Sequence, residues 1–525
     1  MNWFDKSPAS FLGTPFSRRN WANSPLKRGC PKGGGFNSKS TSFLPFLITT
    51  FFLFSSCDKG FEDLQNDPTQ PSSVNPEFLF TESVRRGMSD DIVGIRTEIW
   101  TLMVWNQQMA DIRGVSTQSD FYNYGAAASD DIWDRWFVGA LTNIQEMIRL
   151  TEDKPSEVNK LAVARIWKAY LYHRITDLWG DVPYSEALQA NTEAILLSPK
   201  YDTQREVYSD LLKELKEAAE SFDPQLEDVG AADPLFGGDI IGWKRFANSL
   251  RLRLAIRISA ADPILARQHG EEVVNSGLLI SNEMESVRFP HNSNNGLAIF
   301  QLFNTLVDDD PVIHYYPSEF FINHLESRMD PRLAFFSNPT EESQIFGFDD
   351  FVGIPNLKLN TDLESFNPFN TSQVDGRFYD EPMESNTLSY SEVCFLQAEA
   401  ALLGWGGSQQ ERYEAGVTAS MAYFAIDQAD ITDYLANAGA FDGSLEQIIT
   451  EKWIGFQYRD GFEPFAEYRR TGFPKLLDEN GAVIDPNTFP QRLPYPESEI
   501  FFNNANVSAV GEGINETSTK VWWAD

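Results

Sequence analysis

The residues best suited to chemistry in this sequence are pairs of aromatic rings set a few positions apart: Trp100 and Trp105, Tyr122 and Tyr124, Phe348 and Phe351. A flat ring offers an apolar face to a sugar or a peptide and loses little conformational entropy when it does so. His314 and Tyr315 are a further candidate pair, able to exchange hydrogen bonds with a polar ligand. Packing competes for the same residues. Trp100 and Trp105 share the apolar run Ile99-Trp100-Thr101-Leu102-Met103-Val104-Trp105, which also reads as a buried helix. Tyr122 and Tyr124 lie ahead of Trp133 and Trp136 and suit either role.

Catalytic and metal chemistry find no comparable pattern. The histidines are His173, His269, His291, His314 and His324, without zincin spacing and without a nearby cysteine. There is no nucleophile elbow, phosphate-cradling glycine loop or dinucleotide fingerprint. Asp308-Asp309-Asp310 offers hard oxygen ligands that calcium could use, but it lacks the alternation of an EF-hand and reads as a solvated acidic turn. No catalytic residue, metal ligand or cofactor is therefore expected. A glycoside hydrolase needs two carboxylates about 5 Å or about 6.5–9.5 Å apart. Nothing in the spacing of the acidic residues points to such a pair.

The elements that position these residues begin with an N-terminal leader. Residues 43–54 form an apolar run, shorter than the roughly 20 residues of a membrane-spanning helix. It matches the apolar core of a secretory signal and leads into Ser55-Ser56-Cys57. Small residues directly before a cysteine form a lipobox, so Cys57 is the expected lipid attachment site. Acyl anchoring of this kind is stable when two chains are attached. The basic stretch ahead of the run is some forty residues long, far beyond the usual handful, which leaves the true start codon open. Residues 1–56 are thus read as signal peptide, 57–76 as a polar, proline-bearing tether, and 77–525 as a single body. The chain carries 76 Asp and Glu against 42 Lys and Arg, a formal charge of −34. That balance repels nucleic acid and anionic lipid and suits an exposed surface protein. Cys394, in an apolar run, reads as a buried small hydrophobe.

Helical periodicity dominates the body. Leu161, Ala164, Leu171, Ile175 and Leu178 share a face broken only by Lys168. Further stripes are Val207, Leu211, Leu215, Ala218; Trp243, Phe246, Leu250, Leu254; Val393, Leu396, Ala400, Leu403; Tyr413, Val417, Met421, Phe424; and Leu445, Ile448, Ile449, Trp453, Phe456. The helices arrive in pairs joined by short Gly, Pro and Asp breaks, as in a degenerate tetratricopeptide array. The expected class is all-α, with the scaffold mainly in 77–280 and 389–458. Segments 281–388 and 459–510 are rich in Asn, Gly, Pro and aromatics, with weak periodicity except near 318–327. Long irregular segments with many aromatics are expected to carry ligand-binding function.

Four motifs then resemble one known family. They are Asp177-Leu178-Trp179-Gly180-Asp181-Val182-Pro183-Tyr184; Ser391-Glu392-Val393-Cys394-Phe395-Leu396-Gln397-Ala398-Glu399-Ala400 with Gly404-Trp405; Ile449-Thr450-Glu451-Lys452-Trp453-Ile454-Gly455-Phe456 leading to Glu467-Tyr468-Arg469-Arg470; and Arg492-Leu493-Pro494-Tyr495-Pro496. With the lipobox, they occur in the order found in SusD/RagB-type outer-membrane lipoproteins and span the mature chain. The resemblance implies a tetratricopeptide-like scaffold with a loop-rich ligand half. It implies capture of an oligosaccharide or peptide at the cell surface and delivery to a SusC-like TonB-dependent barrel. Read on their own residues, Trp179 to Pro183 form a helix-ending turn, and Glu451, Lys452, Arg469 and Arg470 an internal ion-paired set rather than catalytic acids and bases. A secreted glycan-active hydrolase and a scaffold that only bridges surface proteins are the competing readings.

Overall fold

Each apolar stripe becomes the buried face of a helix. The computed structural model describes residues 74–88, 95–112, 121–122, 124–189, 196–290, 315–378, 384–511, 513 and 516–524. Ser73–Asp525 forms one compact unit. The leader, Cys57 and Asp308 to Asp310 lie outside the described residues, as does His314.

The scaffold runs through α1 (Pro76–Gly87), the wide-wound α2 (Ile95–Met103), α3 (Ala126–Trp133) and α4 (Thr142–Thr151). It continues with α5 (Val158–Trp179), α6 (Gln204–Ser221), α7 (Ile240–Arg257) and α8 (Pro263–Val274). Neighbours in sequence pack on one another: α5 on α6, α6 on α7, α7 on α8. Their ends are set by local chemistry. Thr203 and Glu206 form a reciprocal capping box that starts α6. Pro263 stands in the first turn of α8, where its missing N–H costs nothing. Gly180, at φ 84°, ends α5.

After α9 (Glu319–Ser327) the hairpin theme resumes with α10 (Tyr390–Leu402), α11 (Gln409–Tyr423), α12 (Gln428–Ala436), α13 (Leu445–Gly455) and α14 (Phe462–Thr471). α10 packs on both α11 and α13. Cys394 on α10 is buried, as the sequence suggests, and burial pushes its thiol up to about 11. The fold is helical, with strands kept to short two-stranded pairs among the described residues. β1 (Met109–Asp111) pairs antiparallel with β5 (Tyr315–Pro317), β2 (Val182–Pro183) with β3 (Tyr201–Asp202), and β4 (Val287–Phe289) with β6 (Ser385–Leu388).

Two features exceed the stripe reading. α5, apart from an edge at Leu161, Arg165 and Lys168, and α7 beyond its first turns are buried nearly all round, so most of their polar residues are interior too. Segment 459–510 is not simply loop. It holds α14, whose residues Phe462 to Arg469 are all buried. Charged side chains and Pro464 hide it from a search for apolar periodicity.

Candidate functional site

The four motifs meet in the interior. Trp179 Nε1 donates to Pro494 O at 3.0 Å, and Tyr495 Oη donates to Trp179 O and Asp181 O at 3.0 and 2.6 Å. Arg469 Nη1 donates to Asp177 O and Gln491 O at 2.7 and 2.8 Å. Around this joint lies a buried ion network. Arg253 holds Glu392 through two bonds of 2.7–2.8 Å. Arg257 Nη2 meets Glu463 at 2.5 Å, and Arg470 bridges Glu399 and Glu467. Lys452 stands 3.4 Å from Glu467, while Glu451 pairs with Arg332 at 2.6 Å. These contacts fit the internal role read for Glu451, Lys452 and Arg470. Arg469 instead stacks on Phe465 and bonds carbonyls. Burial pushes the Glu467 carboxyl up, but Arg470, Lys452 and Arg257 outweigh it and hold it at about 2.

His173, Asp177 and Glu463 bring three ligand atoms within 4.8 Å of one another. Their positive partners are already guanidinium groups, with Arg257 on Glu463 and Arg253 3.5 Å from Glu463. Asp177 Oδ1 also accepts from Tyr208 and Trp523. This trio is part of the ion network.

The cleft lies elsewhere, in a groove of about 580 Å³ built from four chain segments, the first of which contributes Gln107. α9 supplies Phe320, Asn323 and His324; residues 355–358 supply Pro355, Asn356 and Lys358; the turn at 477–481 closes the far side. Each segment is fixed by a definable contact. Ser318 caps α9 by accepting from Phe321 N at 3.0 Å and donates to Gln107 O. Gln107, with φ 52°, clamps the turn from both sides: Nε2 donates to Leu477 O at 2.5 Å and Oε1 accepts from Leu477 N at 3.1 Å. Lys358 Nζ donates to Glu479 O across the groove.

The floor is aromatic. Phe320 and His324 lie edge-on to Trp453, with ring centres 5.6 and 5.9 Å apart. Trp453 belongs to the third motif and is anchored by Nε1 donating to Asn106 O at 3.0 Å. The scaffold therefore carries the floor of the loop-built groove. Burial, then the charge of Arg328, pushes His324 down to about 4, so it is neutral near pH 7. Its Nε2 has no hydrogen-bond partner. An apolar ring face beside amide, imidazole and ammonium groups suits a polyhydroxylated ligand with apolar faces.

The aromatic pairs read from sequence are brought together, but mostly to pack on one another. Trp105 is fully buried and lies 6.1 and 6.2 Å from Tyr122 and Tyr124, edge to face. A ring enclosed in this way has no face for a ligand. Tyr124 is buried as well, and Tyr122 half-buried against Phe489. Trp100, half-buried, stacks on the buried Tyr315 at 5.7 Å. Phe351 packs, like Trp100, against the buried cluster that holds Tyr315, Phe321, Phe336 and Trp453. Phe348 is 55% exposed and its ring is free to meet a ligand. Sequence reading missed Phe320, Asn323, His324 and Lys358. The isolated helical stretch near 318–327 within an irregular region was the signal that could have found them.

Two substitutions probe this construction. A Cβ on Gly353 would lie 2.4–2.5 Å from backbone atoms of Ser318 and Glu319, where Glu319 N donates to Ile354 O. Gly353→Ala should cost about 1–3 kcal/mol and loosen the wall that starts α9, read as a lower urea midpoint. Glu98, buried on α2, accepts from Gly461 N at 3.2 Å. Burial, with Asp460 adding, pushes its carboxyl up to about 8. Its contribution to stability is present at low pH and lost as pH rises from about 4.5 through about 8. Glu98→Gln, a mimic of the protonated acid, should gain on wild type at pH 8.5 relative to pH 5. Equal pH dependence in both proteins would refute this.

Helix hairpins carrying a loop-built, aromatic-floored groove define a helix-pair scaffold with a surface cleft. The sequence profile of the SusD-like family, described as starch-binding associating with outer membrane, matches residues 68–496, and the chain belongs to this family. Among solved structures, a chitin-binding protein matches with 27% identity and a TM-score of 0.74, over 86% of this chain and 100% of its own. A SusD homolog from Bacteroides uniformis matches with 25% identity and a TM-score of 0.73, over 86% and 100%. A chitin-binding SusD homolog from Flavobacterium johnsoniae shares the fold at 23% identity and a TM-score of 0.69, over 86% and 97%. A comparison with curated protein sequences finds no match. Among the described residues, no helix is long and apolar enough to cross a membrane.

Proposed function

We propose that this chain is a lipid-anchored, outer-membrane surface receptor that binds an oligosaccharide in the Phe320–His324 groove. It hands that cargo to a SusC-like TonB-dependent barrel and performs no chemistry on it. The observation that carries the binding site is the groove itself: an aromatic floor held by Trp453 and rimmed by Asn323, Asn356 and Lys358. Family membership and the chitin-binding relative support a sugar ligand over a peptide. Ring stacking with a few hydrogen bonds gives weak binding, on the order of −4 to −8 kcal/mol, or millimolar to micromolar. That range suits a receptor that must release its cargo. The reading requires no cofactor. The lipobox supports anchoring through Cys57, and the four-motif resemblance supports the barrel partner.

The deciding experiment is calorimetric titration of the mature protein with chito-oligosaccharides, malto-oligosaccharides and a peptide mixture, alongside product analysis of the same samples. Saturable binding of one glycan series without turnover is the expected result. Turnover abolished by changing one groove carboxylate would instead establish a hydrolase. Binding of peptides alone would overturn the sugar assignment. Cys57→Ala should release the protein from the outer membrane. Recovery of no barrel from native membranes in mild detergents would remove the delivery role.

A further inference from the structure

A second cavity, about 20 Å³ in volume, lies where the start of α10 meets the last turns of α11 and α13. Ser389, Ser420, Tyr423, Lys452 and Arg459 line it. Its volume admits one particle about the size of a water molecule or a halide. The chemistry of the lining is unbalanced. Arg459 is 6% exposed, and its Nε and Nη2 have no hydrogen-bond partner. Its guanidinium lies 3.8 Å from the centre of the Tyr423 ring, with Arg288 4.7 Å from the same ring. Lys452 Nζ is also buried without a hydrogen bond, its ion-pair partner Glu467 standing off at 3.4 Å. Two carboxylates reach the cavity but are engaged elsewhere: Glu392 by Arg253, Glu283 by Arg288 and Ser286. A buried guanidinium with unmade hydrogen bonds is unfavourable, even with the charges of Glu384 and Asp460 acting on it.

We infer that this cavity binds a single small inorganic anion of the halide class. Arg459 and Lys452 supply the charge. Ser389 Oγ accepts from Glu392 N at 3.1 Å, which leaves its own proton for the anion. The N-terminal end of α10 adds favourable potential at the same place. The narrow space between these side chains suits a monatomic ion. Held there, the ion ties together three helix ends of the scaffold.

Crystals of the wild-type protein soaked in sodium bromide provide the direct test, through anomalous diffraction. The companion measurement is melting in sodium chloride against sodium gluconate at equal ionic strength, for wild type and Arg459→Gln. The expected results are an anomalous peak in the cavity and a melting point about 2 °C higher in chloride, a difference absent in Arg459→Gln. A cavity that holds only water in bromide overturns the proposal, as does an undiminished chloride effect in Arg459→Gln. If Arg459→Gln fails to fold, the wild-type bromide measurement decides alone.

Discussion

Replacing Glu463 by Gln should destabilise the protein by about 3–5 kcal/mol, the largest loss expected from any single change in polar chemistry. Glu463 is buried among Arg257 at 2.5 Å, Arg253 at 3.5 Å and His173 at 3.7 Å. The amide keeps the shape but removes the charge, so two interior guanidinium groups lose a counter-ion they cannot replace with water. The readout is the urea midpoint at pH 7, with the denaturant slope unchanged. A loss below about 1 kcal/mol would show that Glu392 and Glu467 suffice, and would refute this account of the network. The same physics sets the acid limit. Glu467, held at about 2, contributes stability that is present above about pH 4.5 and lost as pH falls toward 2.

In the groove, Phe320→Ala should weaken oligosaccharide binding by about tenfold or more, equivalent to about 1.4 kcal/mol. The ring is half-buried on Trp453 and forms the floor of the cleft. Because Phe320 also packs, Asn323→Ala provides the separating measurement. Asn323 is exposed on the same helix face and lines the same cleft. It should lose affinity with an unchanged melting temperature. Phe348→Ala tests the exposed ring read from sequence in the same way. Full affinity in both Phe320→Ala and Asn323→Ala would move the site away from this groove, and lost affinity in Phe348→Ala alone would place it at that ring.

How much of this was legible without coordinates depends on the range of the interaction. Apolar stripes such as Val207, Leu211, Leu215 and Ala218 are local patterns, and they predict the helices because one face must leave water. The pairing of helices and the turn at Gly180 follow from equally local chemistry. The four motifs are visible as strings and carry the family resemblance. Their meaning is not visible: Trp179 bonds Pro494, and Arg253 bonds Glu392, across separations of 315 and 139 residues. The groove is harder still. Gln107, Phe320 and Leu477 belong to one site only because backbone bonds and a capping serine draw three distant segments together. The sequence by itself determined the helical class, the scaffold stripes and the irregular segments. Only the tertiary structure decided which aromatics pack and which face the groove. A ring's type makes it suitable for either role, and the choice rests on whether neighbours far along the chain cover its face, as Tyr122, Tyr124 and Phe465 cover Trp105.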